Sequence, residues 1–448
     1  MRSAQLGDET VRTVRQIVSG VRDTRPAPHL DTARKLKVLI IDEEIPFPPD
    51  AGKRIRTWNL LWRLAKEHDL TLLCYGSPEE PGLEALREAG VRVHLVPTLG
   101  ESSGSALYLR LFMNLFSRYP FSVVKHFSSE FQAALDHLLA SETWDLLQCE
   151  WTPYMHFLRQ RVACPVLVAT HNVENQIWER RGLHGRNIAE RLFFRLQAWK
   201  MRQFEKNAMR RATAVTAVSL TDATIMSSWG VPNITVVANG ADLRSCDGCC
   251  GAERQNELLS ISSLDWYPNE DSLAFFVSEI FPEIRKQRTD IIFSIVGRRP
   301  KESLRQKFQN LPGVAFHGEV QDVRPFLSAA AVVVVPLRIG GGSRLKILEA
   351  LAAGKAVVST SVGAEGLELN SGEHLLIADD PKEFARKVVE LLESPERRNR
   401  LGQAGRQRII ERYDWENIAK KLEEVWKNTC RQERDGSGLK SVTESASD

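Results

Sequence analysis

The sequence has no stretch of about 18 consecutive apolar residues, the length a membrane-crossing helix needs, so a conventional span is excluded. It has no marked excess of either charge: 60 Lys and Arg stand against 57 Asp and Glu, a net +3. Bulk electrostatics gives no basis for binding nucleic acid, and no such partner is expected. The first 35 residues lack the apolar core of an export signal. They carry Arg2, Arg12, Arg15, Arg22, Arg25 and Arg34 among polar residues, so residues 1–35 read as a disordered arm. Cysteine is sparse, with seven scattered through the chain. Without an export signal they read as reduced thiols of a cytoplasmic protein. Cys246, Cys249 and Cys250 contain a C-x-x-C spacing, but no His lies nearby to complete a zinc site, and a surface loop is expected there. Two phosphate signatures are missing. No G-x-G-x-x-G follows the first strand-like run, and G-x-x-x-x-G-K-[ST] occurs nowhere.

What is present is a regular alternation. Lys37–Asp42 (KVLIID) reads as a buried β-branched strand, and Arg56–Glu67 as a helix with Trp58, Leu60, Leu61 and Leu64 apolar. Strand-like runs follow at 70–76, 91–97, 144–150, 164–171 and 213–219, most of them separated by helical stretches. Strand–helix–strand alternation points to a parallel sheet covered on both faces. The pattern restarts with runs at 234–238, 258–263, 291–297, 314–318, 331–337 and 356–360, alternating with helices at 271–287, 343–353 and 382–393. The fold expected is α/β, with two doubly wound Rossmann-like domains facing a cleft. The domains span 36–235 and 236–412, with a polar linker near 240–256, a last helix at 413–430 and a disordered tail at 431–448. Ligands of such sheets bind beyond the carboxyl ends of the strands.

The segments at those ends supply the candidates. After the first strand comes a proline-rich loop ending in Gly52, Lys53 and Arg54. Gly52 either lets backbone approach a ligand at a helix start or serves a turn. His171, after the fifth strand, either donates to a sugar hydroxyl or is satisfied by loop carbonyls. The segment VVPLRIGGGSRLKILEALAAG (334–354) reads as a buried strand, a triple-glycine turn and a helix capped by Ser343. Bare amides at Gly341, Gly342 and Ser343 suit a phosphate, and Arg344 and Lys346 add positive charge where the helix dipole disfavours it unless an anion binds. Glu349 shares a helix face with Leu345, Ala352 and Ala353, so its carboxylate lies on the packed side and needs partners. Ribose hydroxyls would serve, as would a buried Arg. Gly297 and Arg298 follow another strand, where an amide would meet a nucleobase and a guanidinium a phosphate, or the pair forms a solvated turn.

At these residues the sequence resembles the retaining GT-B glycosyltransferases of family 4, in the bacterial branch of exopolysaccharide and lipid-linked saccharide assembly. The resemblance runs over about residues 36–428 and is carried by PPDAGKRIRTWNLLWRLAKEHDLTLL, THNVENQIWERR, VVANGADL, SSLDWYPNEDSLAFF and, most specifically, VRPFLSAAAVVVVPLRIGGGSRLKILEALAAGKAVVSTSVGAEGL. It implies that a nucleotide-diphosphate sugar is the donor, a saccharide or lipid-linked molecule the acceptor, and that neither a metal nor a cofactor is needed. It further implies that Glu349 is the ribose-binding second acid of the family's pair, that Gly341 stands where the first acid would be, that Gly52 lies under the diphosphate, and that His171 contacts the donor sugar. Gly297 matches the first glycine of a turn near the base, from which Arg298 departs. In such folds the last helix often crosses back to the first domain. Two other functions stay open at this point: a nucleotide-sugar epimerase on the same fold, using carboxylates such as Glu43, Glu44 and Glu150, and a non-catalytic partner protein.

Residues 186–211 hold eight Lys or Arg interleaved with Phe193, Phe194, Leu196, Trp199 and Phe204. This stretch reads as a domain helix with a solvated basic face or as a surface for an anionic membrane, giving peripheral association. Residues 107–121 are a second apolar candidate.

Overall fold

The computed structural model describes residues 34–98, 100, 104–158, 162–183, 187–243, 253–339 and 345–444. The apolar, β-branched runs become strands of two parallel sheets. The first contains β1 (Lys37–Ile41), β2 (Asp69–Tyr75), β3 (Arg92–Val96), β4 (Leu146–Cys149), β5 (Val166–Ala169), β6 (Ala214–Ala217) and β7 (Ile234–Val236), in the order β3-β2-β1-β4-β5-β6-β7. Val38 of β1 lies between Leu70 of β2 and Leu146 of β4. The second contains β8 (Glu257–Ile261), β9 (Ile292–Val296), β10 (Val314–Gly318), β11 (Val332–Val335), β12 (Ala356–Ser359) and β13 (Leu376–Ile377), in the order β10-β9-β8-β11-β12-β13. Both orders reverse beside their first strand, the place where doubly wound sheets open a crevice for ligands. The expected α/β fold of two doubly wound halves is the one adopted.

Eight helices matter below: α1 (Gly52–Leu64), α2 (Gly104–Leu115), α3 (Phe121–Lys125), α4 (Glu174–Leu183), α5 (Ile188–Arg210), α6 (Tyr267–Phe275), α7 (Leu345–Ala352) and α8 (Trp415–Glu444). Side chains of β1 alternate between two cores. Val38 and Ile40 pack with Leu60, Leu61, Leu422 and Trp426, while Leu39 and Ile41 pack with Phe131, Tyr154 and Phe157. In β11, Val333 and Val335 share the first of these cores, and Val332 and Val334 face Phe276, Phe293 and Phe384. One apolar cluster therefore runs from Ile40 through Val237 and Trp415 to Leu348 and Val335, joining the two halves.

Three expectations are corrected. The run at 234–238 does not open the second half, because Ile234–Val236 pairs with β6 at the edge of the first sheet. A short strand's periodicity carries no information about which sheet it joins. The helix expected over 271–287 is interrupted by a π-turn at Phe276–Ile280 before it resumes at Phe281. Pro282 has no N–H and its ring crowds the preceding turn, which opens the hydrogen-bond register. The last helix continues past 430 to Glu444, into the segment expected as a tail. It does cross to the first domain: Trp426 Nε1 donates to Gln148 Oε1 at 2.6 Å, and Glu423 lies 3.1 Å from His68 Nε2. The arm over 1–35, apart from Arg34 and Lys35, lies outside the described residues.

Candidate active site

Three adjacent central strands deliver charged groups to the mouth of the first sheet. Asp42 follows β1, Glu150 follows β4, and Thr170 and His171 follow β5. His171 Nε2 lies 3.1 Å from Glu150 Oε2, so its partner is a carboxylate rather than a loop carbonyl. The other oxygen of Glu150 accepts from the Gln148 amide. Burial pushes the Glu150 carboxyl up, but the hydrogen bond to His171, with Arg56 and Gln148, outweighs it and holds the group below its ordinary value. Burial likewise holds the His171 imidazole below its ordinary value, with Glu150 opposing and Lys53 and Arg56 assisting. A neutral imidazole beside an ionised carboxylate carries its proton on Nε2 and keeps a lone pair on Nδ1.

Lys53, in the first turn of α1, sits 2.5 Å from Asp42 and 3.4 Å from Glu43. Its ammonium also lies 5.4 Å from the centre of the Trp151 ring, whose Nε1 donates to Glu174 at 2.9 Å. Burial pushes the Asp42 carboxyl up to about 7, Lys53 pulls it down, and Glu150 and Glu43 push it up. Gly52 is the first residue of α1, whose preceding Ala51 gives no side-chain cap and whose first turn has no acidic residue. A Cβ placed on Gly52 would lie 3.5 Å from Leu345 Cδ1, so the starts of α1 and α7 face each other across the domain boundary. Two helix starts in apposition concentrate backbone N–H groups where an anion would sit.

On the second domain, Lys346 Nζ donates to Asn269 Oδ1 at 2.8 Å, and Asn269 in turn donates to Ser263 O at 2.8 Å. Glu349, one turn into α7, is half-buried, and among the described residues no side chain donates a hydrogen bond to it. Burial pushes its carboxyl up to about 7, with the charge of Lys346 opposing. Arg298 Nε donates to Ser263 Oγ at 2.8 Å, and its Nη1 lies 3.4 Å from Asp50 of the first domain. Gly297 is held by the backbone around it. Its N–H already donates to Gly318 O at 2.7 Å, and a Cβ there would fall 1.8 Å from Ser262 O, so packing demands the glycine. Gly341, Gly342, Ser343 and Arg344 lie outside the described residues, as do Cys246, Cys249 and Cys250. Among the described residues, no group of three or more His, Cys, Asp or Glu is placed to hold a metal ion.

Comparison with known proteins now adds to this geometry. A family model described as "Glycosyl transferase 4-like domain" matches residues 52–240, and one described as "Glycosyl transferases group 1" matches residues 255–394. The chain is a glycosyltransferase with the GT-B fold. It is similar to an uncharacterised 44.6 kDa protein in the cps region of Klebsiella pneumoniae, 21% identical over 79% of this chain and 90% of that one. It is similar also to phosphatidyl-myo-inositol mannosyltransferase of Mycobacterium tuberculosis, at 27% identity, but that match spans only 41% of this chain and 53% of that enzyme. Its fold is that of Anabaena HepE in a crystal structure with UDP-glucose, with a TM-score of 0.62, 13% identity and coverage of 88% and 100%. Neither the epimerase nor the non-catalytic reading is favoured by these matches.

In this glycosyltransferase the cleft is also bridged away from Gly52. Arg180 of α4 pairs with Glu365 at 2.7 Å, and the Arg181 guanidinium lies 5.1 Å from the centre of the Tyr267 ring. Arg56 clamps the passage between domains. It donates to Val237 O at 2.9 Å, Ala238 O at 2.7 Å and Asn239 Oδ1 at 2.9 Å. Burial pushes its guanidinium down to about 10, against the pull of Glu150. The sequence reading did not single out Asp42, Lys53 or Arg56 as site residues. Asp42 was hidden at the end of an apolar run, and a basic helix start is too common a feature to mark Lys53.

Proposed function

We propose that this glycosyltransferase moves a sugar from a nucleotide-diphosphate donor to a saccharide or lipid-linked acceptor, with retention at the anomeric carbon and without a bound metal. The observation that carries the reading is Glu349: a half-buried carboxylate at the mouth of the second sheet with no described donor. Paired ribose hydroxyls supply two donors to one carboxylate, and a carboxyl that titrates near 7 accepts them best when ionised. The diphosphate lies between the starts of α1 and α7, against Gly52, Lys346 and Arg298. Amides and cations aimed at the leaving phosphate stabilise charge as it develops. Loss of the nucleoside diphosphate gives an oxocarbenium-like state, and the acceptor hydroxyl attacks from the face the diphosphate leaves, passing its proton to the departing phosphate. His171, oriented by Glu150, contacts the donor sugar. The HepE complex with UDP-glucose and the cps-region relative support a nucleotide-sugar donor and a role in exopolysaccharide assembly.

The test is a thermal-shift screen with nucleoside diphosphates and their sugars, with and without EDTA, followed by NMR of the product's anomeric configuration. Stabilisation by one nucleotide class, unchanged by EDTA, and a retained anomer are expected. Stabilisation by none of the nucleotides would overturn the donor assignment, loss of activity in EDTA the metal independence, and an inverted anomer the stereochemistry.

A further inference from the structure

α2 and Phe116 just after it hold apolar side chains in water. Tyr108, Leu109, Phe112, Met113 and Phe116 are 74%, 58%, 59%, 55% and 81% exposed. Exposed apolar residues are ordinary when scattered, but five crowded within two and a half turns form a patch, and a patch marks an interaction surface. The patch is firmly mounted. Lys200, buried in α5, donates to Asn114 O at 2.6 Å and Leu115 O at 3.2 Å, the last carbonyls of α2. Gln197 Nε2 donates to the Asn114 side chain at 2.9 Å. A cation at a helix C-terminus is favoured by the dipole as well as by the bonds. The neighbour of Lys200, Trp199, is 60% exposed, and Leu192, Arg195, Trp199 and Arg202 recur at helical spacing on one exposed face of α5.

The segment that carries the patch has charge of one sign. Residues 102–129 contain no Asp or Glu, but do contain Arg110, Arg118 and Lys125, all exposed. We propose that α2 and the outer face of α5 form a docking surface for an anionic lipid bilayer. Aromatic and aliphatic side chains enter the headgroup–acyl boundary while the flanking Arg and Lys meet anionic headgroups. A second copy of the chain fits worse, since an isologous contact would set the basic rim against itself. No described helix is long and apolar enough to cross the membrane, so the contact is on the surface. The expectation for 186–211 is thereby relocated: Phe194 is buried and Phe193, Leu196 and Phe204 are partly so, which leaves α2 to supply most of the apolar face. Arg186 lies outside the described residues. α3 follows α2, and His126 just after it packs 5.0 Å from the Trp151 ring of the cleft. The surface thus continues into the wall where an acceptor would enter, a link that rests on the proposed transferase reading.

The experiment is co-sedimentation of the full chain with phosphatidylcholine vesicles and with vesicles containing phosphatidylglycerol, at low and high salt, with no nucleotide sugar present. Binding at least tenfold tighter to the anionic vesicles, weakened by salt, is expected. The Phe112→Ser/Phe116→Ser variant should lose tenfold or more of it, with unchanged thermal unfolding. Should that variant fail to fold, Phe116→Cys carrying an environment-sensitive fluorophore must shift to the blue on anionic vesicles. Absent binding, wild-type-like binding by the folded double variant, an unshifted fluorophore, or a wild-type dimer that the double variant turns into a monomer would each overturn the proposal. Because no arm measures transfer or nucleotide binding, failure here and failure of the transferase reading are separable.

Discussion

Glu349→Gln should make the protein more stable and a poorer binder of nucleotide, and the stability gain should depend on pH. The carboxyl titrates at about 7 in the fold against 4.5 for a free glutamate. A folded-state value raised above the unfolded one favours the protonated form, so the group's contribution is fully present below 4.5 and is lost as pH rises through about 7. At about 1.4 kcal/mol for each tenfold change in proton affinity, keeping it ionised costs the fold about 3 kcal/mol at pH 8 and under about 1 kcal/mol at pH 5. Water reaching the half-buried side chain from the cleft reduces the larger figure to about 1–3 kcal/mol. Urea unfolding of both proteins at the two pH values measures the difference. A gain confined to the higher pH is expected, and an equal effect at both would refute burial of the charge as its cause. Calorimetry supplies the second half. Loss of the hydrogen bonds from ribose to a charged acceptor should weaken nucleotide binding by about 1–3 kcal/mol. The wild-type affinity should fall as pH drops through about 7, since a protonated carboxyl accepts poorly. A folded variant that binds as tightly as the wild type would refute the ribose assignment.

Other changes probe the opposite wall and the joint between domains. His171→Ala should lower turnover more than nucleotide affinity in steady-state and binding assays; equal losses would make His171 a binding residue only. Glu150→Gln removes the charge that raises the His171 imidazole, so the acidic limb of the rate–pH profile should move to lower pH, and an unmoved limb would detach Glu150 from the site. Arg56→Met removes three hydrogen bonds, to Val237 O, Ala238 O and Asn239 Oδ1, and should cost about 3 kcal/mol in unfolding experiments, at about 1 kcal/mol each. Trp426→Phe keeps the packing of α8 but removes its bond to Gln148, and a loss of about 1 kcal/mol is expected by the same measurement.

The sequence alone determined the architecture, since a buried parallel strand has to be apolar on both faces and a covering helix on only one. KVLII and VVVV declare their burial without reference to any other residue, and the alternation around them leaves few topologies. It also marked Glu349, because helical periodicity puts that carboxylate among Leu345 and Ala352 whatever the rest of the chain does. It pointed to His171 only as a residue at a strand end. Tertiary structure alone decided that Glu150, 21 positions earlier, is its partner, that Lys53 lies against Asp42, and that Arg56 reaches across 181–183 positions to hold the interdomain passage. Those pairings depend on which strands become neighbours and how far α1 leans toward the second domain. The cost of burying a charge fixes only that each must find a partner, and the partner is chosen by the fold.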